Sequence, residues 1–205
     1  MRRLVIDSAT EACSVALFDD EEMVAGTHAM LGRGHAEQLV PMIAALPGKG
    51  RAESIAVNSG PGSFTGIRVG LAAARALALA WSVPLEGYAC LALVGAMARR
   101  EHPGLAIDVV MSGGHGEWFF QPFAADGAPL SESASLLPDA VAARSQASII
   151  VGSQAEALAA RRGGQPVAQP LWPDARAFAL LGRDALRPDP VPRYGRAPDA
   201  RLPAA

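Results

Sequence analysis

A short glycine-rich segment carries the residues best suited to bind an anion. Residues 60–66 read Gly-Pro-Gly-Ser-Phe-Thr-Gly, with an apolar stretch at 54–57 before them and an alanine-rich stretch at 67–81 after them. This order predicts a strand, a tight loop and a helix. The loop therefore presents a helix N-terminus, whose backbone N–H groups suit an anion, while the hydroxyl of Ser63 or Thr65 suits a helix cap.

Two interpretations of this loop stay open. Composition alone favours a purely structural turn, because glycine is the usual residue wherever the chain takes a positive φ. The lysine of a phosphate-binding P-loop does not follow the glycines. The dinucleotide pattern of three glycines with a later ribose-binding acid is not matched either. Neither nucleotide fingerprint therefore applies to the loop.

The histidines and cysteines predict neither a metal site nor a nucleophile. His35 opens a helical pattern, but the residue one turn later is Leu39, so the second imidazole needed to share a metal is missing. Cys13 and Cys90 are isolated and are typical of buried small side chains. The Gly-x-Ser-x-Gly elbow of a serine hydrolase is not matched around Ser63. We therefore predict no catalytic residue and no metal ligand.

Composition narrows the class of protein. The 205 residues carry a formal net charge of −2, and half of them are hydrophobic. The apolar runs are shorter than the roughly 18 residues of a membrane span, and the apolar stretch after Met1 is too short for a secretory signal, so we expect a cytoplasmic protein with no membrane helix. The basic residues are scattered, and Lys49 is the only lysine. Autonomous nucleic-acid binding is therefore not expected.

The apolar pattern predicts a repeated order of elements. Strands are predicted at 3–8, 12–18 and 23–28, a helix at 34–46, a strand near Ile55, a helix at 67–81, an extended stretch at 84–87 and a helix at 91–100. The second half loosely repeats this order, with strands at 105–110 and 117–123, a short element before Pro138, a helix, a strand at 148–152, and helices near Ala155 and Ala175. Three strands, a helix, a strand and a helix are typical of a ribonuclease-H-like unit.

Three sequence blocks, taken in order, resemble one family. They are residues 4–17 (LVIDSATEACSVAL), 34–43 (GHAEQLVPMI) and 58–70 (NSGPGSFTGIRVG). Together they resemble the TsaB (YeaZ) family of tRNA threonylcarbamoyladenosine biosynthesis proteins, paralogues of the TsaD/Kae1-type subunit. The resemblance is dense over residues 3–100 and then thins to the order of elements and a tail at 193–200.

The resemblance implies an α/β fold, the duplicated ribonuclease-H-like fold of the actin, sugar-kinase and ASKHA superfamily. We expect an N-terminal subdomain at 1–102 with the partner-binding helices, a smaller C-terminal subdomain at 103–187 and a proline-rich tail at 188–205. The prolines predict that this tail is extended, either lying over the body or loose.

The first turn departs from the nucleotide-binding members of that superfamily. Those members have a glycine after the aspartate, whereas this chain has Asp7-Ser8-Ala9-Thr10. The candidate phosphate loop, vestigial in form, comprises Asp7, Ser8, Thr10, Gly60, Gly62, Ser63, Thr65 and Gly66. The structural alternative is that Asp7 and Thr10 only satisfy backbone groups at the hairpin.

The resemblance also implies a non-catalytic scaffold that binds a TsaD-like catalytic subunit. The chain then has no cofactor of its own, since ATP and a metal are expected on the partner, and a TsaE-like ATPase and tRNA join through the complex. Alone, the same helices are expected to form a homodimer. The expected interface comprises His35, Leu39, Met42, Ile43, Arg68, Leu71, Ala72 and Arg75, although apolar helix positions are equally typical of a core.

A different function stays open beside this one. The alternative is a stand-alone ATP-dependent enzyme, similar to a small-molecule kinase, that uses Asp7 and the 60–66 loop around phosphate. A protease is the weakest hypothesis, because the sequence supplies neither its nucleophile nor its metal.

Overall fold

A computed structural model of the chain describes residues 1–195. The strands in chain order are β1 (Arg2–Asp7), β2 (Ala12–Asp19), β3 (Glu22–Met30), β4 (Ser54–Asn58), β5 (Leu85–Tyr88), β6 (Ile107–Ser112), β7 (Trp118–Phe123), β8 (Ala134–Leu136), β9 (Ile149–Val151), β10 (Val167–Gln169) and β11 (Arg187–Pro188). The α-helices are α1 (His35–Ala45), α2 (Phe64–Trp81), α3 (Cys90–Glu101), α4 (Pro138–Arg144) and α5 (Ala155–Arg162). Short 3₁₀ helices span Pro47–Gly50, Ala175–Leu180 and Arg183–Ala185.

The strands form two sheets with one shared topology. The first sheet has the order β11-β5-β4-β1-β2-β3 and the second has the order β10-β9-β6-β7-β8. In the first sheet β1, β2 and β3 are antiparallel neighbours, while β4 and β5 run parallel to β1. The second sheet repeats this scheme with β6, β7 and β8 antiparallel and with β9 and β10 parallel to β6. This repeat confirms the predicted duplicated ribonuclease-H-like fold.

The helices cover the sheets in layers. Helices α1 and α2 bury Leu39, Ile43, Ile67 and Leu71 against one face of the first sheet. Helix α3 lies between the sheets, because Leu93 packs with the other face of the first sheet while Leu91, Val94 and Ala98 belong to the core cluster of the second sheet. Helices α4 and α5 cover the outer face of the second sheet. Each sheet is thus covered on both faces, as the parallel strands at its centre require.

Several predicted boundaries differ from the structure for local reasons. Helix α2 begins at Phe64 instead of Ile67, because the Ser63 hydroxyl accepts a hydrogen bond from the Gly66 N–H and caps the helix. The helix predicted near Ala175 is a 3₁₀ helix, and it packs against the first sheet. The strands β10 and β11 were not predicted, since two or three residues are too few to show an alternating pattern.

Part of the proline-rich tail lies on the body. Residues 187–188 pair with β5, and the Arg193 N–H donates to the Ser59 carbonyl at 2.7 Å. Of the two alternatives predicted for this tail, residues 187–195 therefore follow the one in which the tail lies over the body. The remainder of the predicted tail, with Pro198 and Pro203, lies outside the described residues.

Within residues 1–195, α2 is the one helix long and apolar enough, by length and composition, to cross a membrane. No such helix was expected from the sequence. Its buried side, which includes Ile67, Leu71 and Ala74, packs against the first sheet as a core helix does. Of its eighteen residues six are buried, four are half-buried and eight are exposed, so a substantial part of this apolar helix lies at the surface.

Candidate functional site

A cleft of about 1050 Å³ lies between the two halves of the molecule. One wall comes from the turn after β1, the start of α1 and the loop before α2. The other wall comes from the hairpin after β6. The lining residues are Ala9–Glu11, residues 32–37, residues 62–66, Arg68, residues 111–115, Phe119, Ser135 and Tyr194. The cleft thus brings together the first turn and the glycine-rich loop, which the sequence singled out separately.

The floor beneath the cleft holds the buried carboxylate of Asp7. The side-chain amide of Asn58 donates to Asp7 Oδ2 at 2.7 Å, and the Tyr88 hydroxyl donates to the same oxygen at 2.9 Å. The Ala9 N–H donates to Oδ1 at 3.3 Å. Burial raises the pKa of Asp7 to about 6, although the bonds from Asn58 and Tyr88 act in the opposite direction. Asp7 is therefore engaged by protein donors on both oxygens.

The glycines of the 60–66 loop allow backbone to touch backbone. The Ser63 N–H donates to the Ala9 carbonyl at 2.6 Å, and the Ser8 hydroxyl donates to the Gly66 carbonyl at 2.9 Å. A Cβ added to Gly62 would lie less than 3.0 Å from the Ala9 carbonyl oxygen. A Cβ added to Gly66 would lie less than 3.0 Å from the Ser8 carbonyl oxygen. The loop is therefore clasped to the first turn, which is the close approach that only glycine permits.

Five of the eight residues of the candidate phosphate loop line the cleft. Thr10, Gly62, Ser63, Thr65 and Gly66 line the cleft. Asp7, Ser8 and Gly60 are buried and do not line it. The Thr10 hydroxyl accepts from the Ala12 N–H at 3.2 Å, as the structural alternative predicts. A phosphate role for these residues stays a prediction, because intrachain contacts already account for the glycine pattern.

The expected partner surface on α1 and α2 needs a correction. Leu39, Ile43 and Leu71 are buried in the core of the first sheet, so they cannot supply exposed contact area. Their three- and four-residue spacing marks the side of each helix that faces the sheet. His35 is also buried, with Nε2 at 3.3 Å from the Ala12 carbonyl oxygen.

The other expected surface residues are accessible. Arg68, Ala72 and Arg75 are exposed, and Met42 is half-buried. Val40 and Leu79 were not among the predicted surface residues, but they are 60% and 84% exposed. For Leu79 the signal is that α2 is apolar on all sides, which one buried face does not explain.

The described histidine and cysteine side chains form neither a metal-binding group nor a reactive thiol. Among residues 1–195, no three His, Cys, Asp or Glu side chains are grouped so that they could hold a metal ion. Burial raises the pKa of the Cys13 thiol to about 11 and also raises that of Cys90. Both thiols therefore stay protonated near neutral pH and are poor nucleophiles.

Ser112, in the wall after β6, belongs to a cluster of hydrogen-bonded polar side chains that was not predicted from the sequence. The Ser153 hydroxyl accepts from the Ser112 N–H at 2.9 Å, and the Gln154 amide donates to the Ser112 hydroxyl at 2.8 Å. These bonds join the end of β6 to the turn after β9. No spacing rule connects residues so far apart, so only the fold reveals the cluster.

Comparison with known proteins gives one consistent family. A family model described as "TsaD: tRNA N6-adenosine threonylcarbamoyltransferase" matches residues 29–184, more than half of the chain. The "tRNA threonylcarbamoyladenosine biosynthesis protein TsaB" of Escherichia coli is 34% identical over 131 residues, which cover 62% of this chain and 56% of that protein. The Haemophilus influenzae protein of the same name is 38% identical over 89 residues, covering 40% and 36%. The matched regions therefore span about half or less of these curated relatives.

Solved structures extend the likeness to nearly the whole chain. YeaZ from Pseudomonas aeruginosa superposes with a TM-score of 0.80 at 26% identity, covering 94% of this chain and 99% of that one. The ethanolamine utilization protein EutJ from Carboxydothermus hydrogenoformans superposes with a TM-score of 0.51 at 14% identity, covering 89% and 90%. The second likeness shows a shared fold alone.

Proposed function

Because the chain belongs to the TsaB (YeaZ) family, we propose that it is a non-catalytic subunit in the synthesis of threonylcarbamoyladenosine in tRNA. In this proposal it binds a TsaD-like catalytic subunit. That subunit transfers the threonylcarbamoyl group to N6 of the adenosine on the 3′ side of the anticodon. A TsaE-like ATPase and the tRNA meet the chain mainly through this complex.

The observation that carries the proposal is the exposed apolar surface of α1 and α2, here called the α1–α2 face. We define this face by the exposed apolar residues Ala36, Val40, Pro41 and Ala44 on α1, and Ala72, Ala76, Leu79 and Ala80 on α2. A single exposed leucine is ordinary, but adjacent helices that both expose mainly apolar residues are typical of a protein–protein interface. The alanines also allow a partner helix to approach closely.

The positions of the candidate reactive groups support the non-catalytic role that we propose. Asp7 is buried under three hydrogen bonds, and both thiols are buried and protonated. We therefore assign the bound ATP, the metal and the reacting groups to the catalytic subunit. In this proposal the chain contributes the surface that positions and stabilises its partner.

The proposal is tested by co-expressing the tagged chain with the TsaD-like protein of the same genome. Size-exclusion chromatography with light scattering is expected to give a stable heterodimer. Val40→Arg and Leu79→Arg should each weaken it, because a charge would be buried in an apolar contact. Val167→Arg and Leu137→Arg are matched controls, since these side chains are 51% and 62% exposed in the second half of the chain.

Two results would overturn the proposal. One is the absence of any association between the wild-type chain and the TsaD-like protein. The other is robust modification of tRNA by the purified chain with no partner added, which would show that the chain itself is catalytic.

A further inference from the structure

The last described residues form a strap across the molecule, here called the C-terminal strap (residues 187–195). It begins as β11 on the edge of the first sheet. Pro190 then packs so closely on Gly87 that a Cβ added to Gly87 would lie less than 3.0 Å from the Pro190 side chain. It ends at Gly195, whose Cα faces the ring of Phe119 in the second sheet. The strap therefore touches both halves of the fold.

Two exposed arginines of α2 are held by this strap. Arg75 Nη2 donates to the Pro190 carbonyl at 2.8 Å, and Arg68 Nε donates to the Tyr194 hydroxyl at 2.8 Å. The Arg68 guanidinium carbon also lies 3.6 Å from the centre of the Phe64 ring, and the Phe64 and Tyr194 rings are 4.9 Å apart. These contacts give each arginine a defined position on the surface.

Arg68 and Arg75 lie on the same helix, α2, as half of the α1–α2 face. Arg68 lies one helical turn before Ala72, and Arg75 lies one turn before Leu79, so each arginine neighbours an exposed apolar residue. Each retains N–H groups beyond the one bonded to the strap, since a guanidinium carries five. A carboxylate is the group that such a planar fork binds best.

We propose that the C-terminal strap belongs to the partner-binding surface, where it holds Arg68 and Arg75 ready for carboxylates of the docked subunit. Tyr194 is then a positioning residue that acts through Arg68. This inference rests on the proposed function. A side chain that is already ordered loses less entropy on association, which strengthens an interface by about two- to tenfold for each such side chain.

The test measures the dissociation constant of the complex with the TsaD-like subunit by titration calorimetry. Tyr194→Ala and Arg68→Ala are each expected to weaken binding about tenfold. The double variant should be no weaker than Arg68→Ala alone, since Tyr194 acts through the arginine. Tyr194→Phe keeps the ring and loses the hydroxyl, so about threefold weaker binding is expected. Arg144→Ala, an exposed arginine on α4, is the matched control.

Thermal unfolding and hydrogen exchange accompany these titrations. Exchange in Tyr194→Ala should rise in the strap and at residues 59–64, while the melting temperature stays close to that of the wild type. Unchanged affinity in that variant, or fully additive effects in the double variant, would overturn the inference and leave the heterodimer intact. Failure of the wild-type chain to bind would instead overturn the proposed function, and this inference with it.

Discussion

The carboxylate of Asp7 accepts a 2.7 Å hydrogen bond from the side-chain amide of Asn58, and this bond joins the end of β1 to the end of β4. The Tyr88 hydroxyl, at the end of β5, donates to the same carboxylate oxygen at 2.9 Å. Three neighbouring parallel strands are thus tied together at their carboxyl ends, directly beneath the cleft. The network fixes the edge of the sheet from which both the first turn and the glycine-rich loop depart.

This buried carboxyl predicts a pH-dependent stability. Burial raises the pKa of Asp7 from its ordinary value of 3.8 to about 6, so the folded chain binds the proton more tightly than the unfolded chain. The contribution of the protonated Asp7 carboxyl to the unfolding free energy is fully present below pH 3.8 and is lost as the pH rises through 6. Between pH 4 and pH 7 the wild type should therefore lose up to about 3 kcal/mol of unfolding free energy that Asp7→Asn does not lose.

Urea unfolding at several pH values across this range measures the difference. Asp184→Asn is the matched control, because Asp184 is exposed and its substitution should leave the wild-type pH profile unchanged. A parallel pH profile for Asp7→Asn and the wild type would show that the buried carboxyl does not titrate in this window.

The repeated order of elements could be predicted from the sequence because each long element carries its own pattern. The stretch around Ile55 is continuously apolar, as a strand buried on both faces requires. The exposed side of α2 could not be assigned, because alanine and leucine occur on all sides of that helix. Leu71 is buried and Leu79 is exposed, and only the packing of α2 against the first sheet distinguishes these two leucines.

The candidate site was predictable only in part. The first turn and the 60–66 loop were recognised as separate motifs, but their mutual clasp depends on the parallel pairing of β1 with β4. From the sequence, Tyr194 is recognisable only as part of the C-terminal tail. Its contacts with Phe64 and Arg68 join residues more than 100 positions apart, and no local pattern encodes them.

The clasp predicts that the loop glycines cannot be replaced. Gly62→Ala and Gly66→Ala would each place a methyl group against a carbonyl oxygen of the first turn. Relief requires movement of backbone, so each substitution should cost at least about 3 kcal/mol of unfolding free energy. Urea unfolding measures this loss. Gly182→Ala is the control, because no atom lies within 4 Å of its Cβ position and the expected change is within about 0.5 kcal/mol.

The clasp also predicts weak nucleotide binding by the chain alone. The Ser63 N–H is bonded to the Ala9 carbonyl, and the Gly66 N–H is bonded to the Ser63 hydroxyl, so two donors of the loop are already engaged. Titration calorimetry with ATP and Mg²⁺ should therefore give a dissociation constant weaker than about 1 mM. Micromolar binding that is lost in Ser63→Ala would favour the stand-alone ATP-dependent enzyme instead.

The exposed apolar helices predict that the chain pairs with itself when no partner is present. In a twofold symmetric dimer the same patch is used on both subunits, so one substitution acts twice at the interface. Light scattering of the purified chain should give twice the monomer mass of 21.2 kDa. Leu79→Arg should shift it to the monomer, while Leu137→Arg should leave the dimer intact, since Leu137 lies just before α4 in the second half of the chain.

This prediction also links self-association to partner binding. If both use the α1–α2 face, a TsaD-like subunit must displace one copy of the chain to bind the other. Adding the subunit to the homodimer should therefore yield complexes of one copy of each chain, with the homodimer decreasing in proportion. A complex that retains the intact homodimer, or a monomer produced by Leu137→Arg but not by Leu79→Arg, would place self-association on another surface.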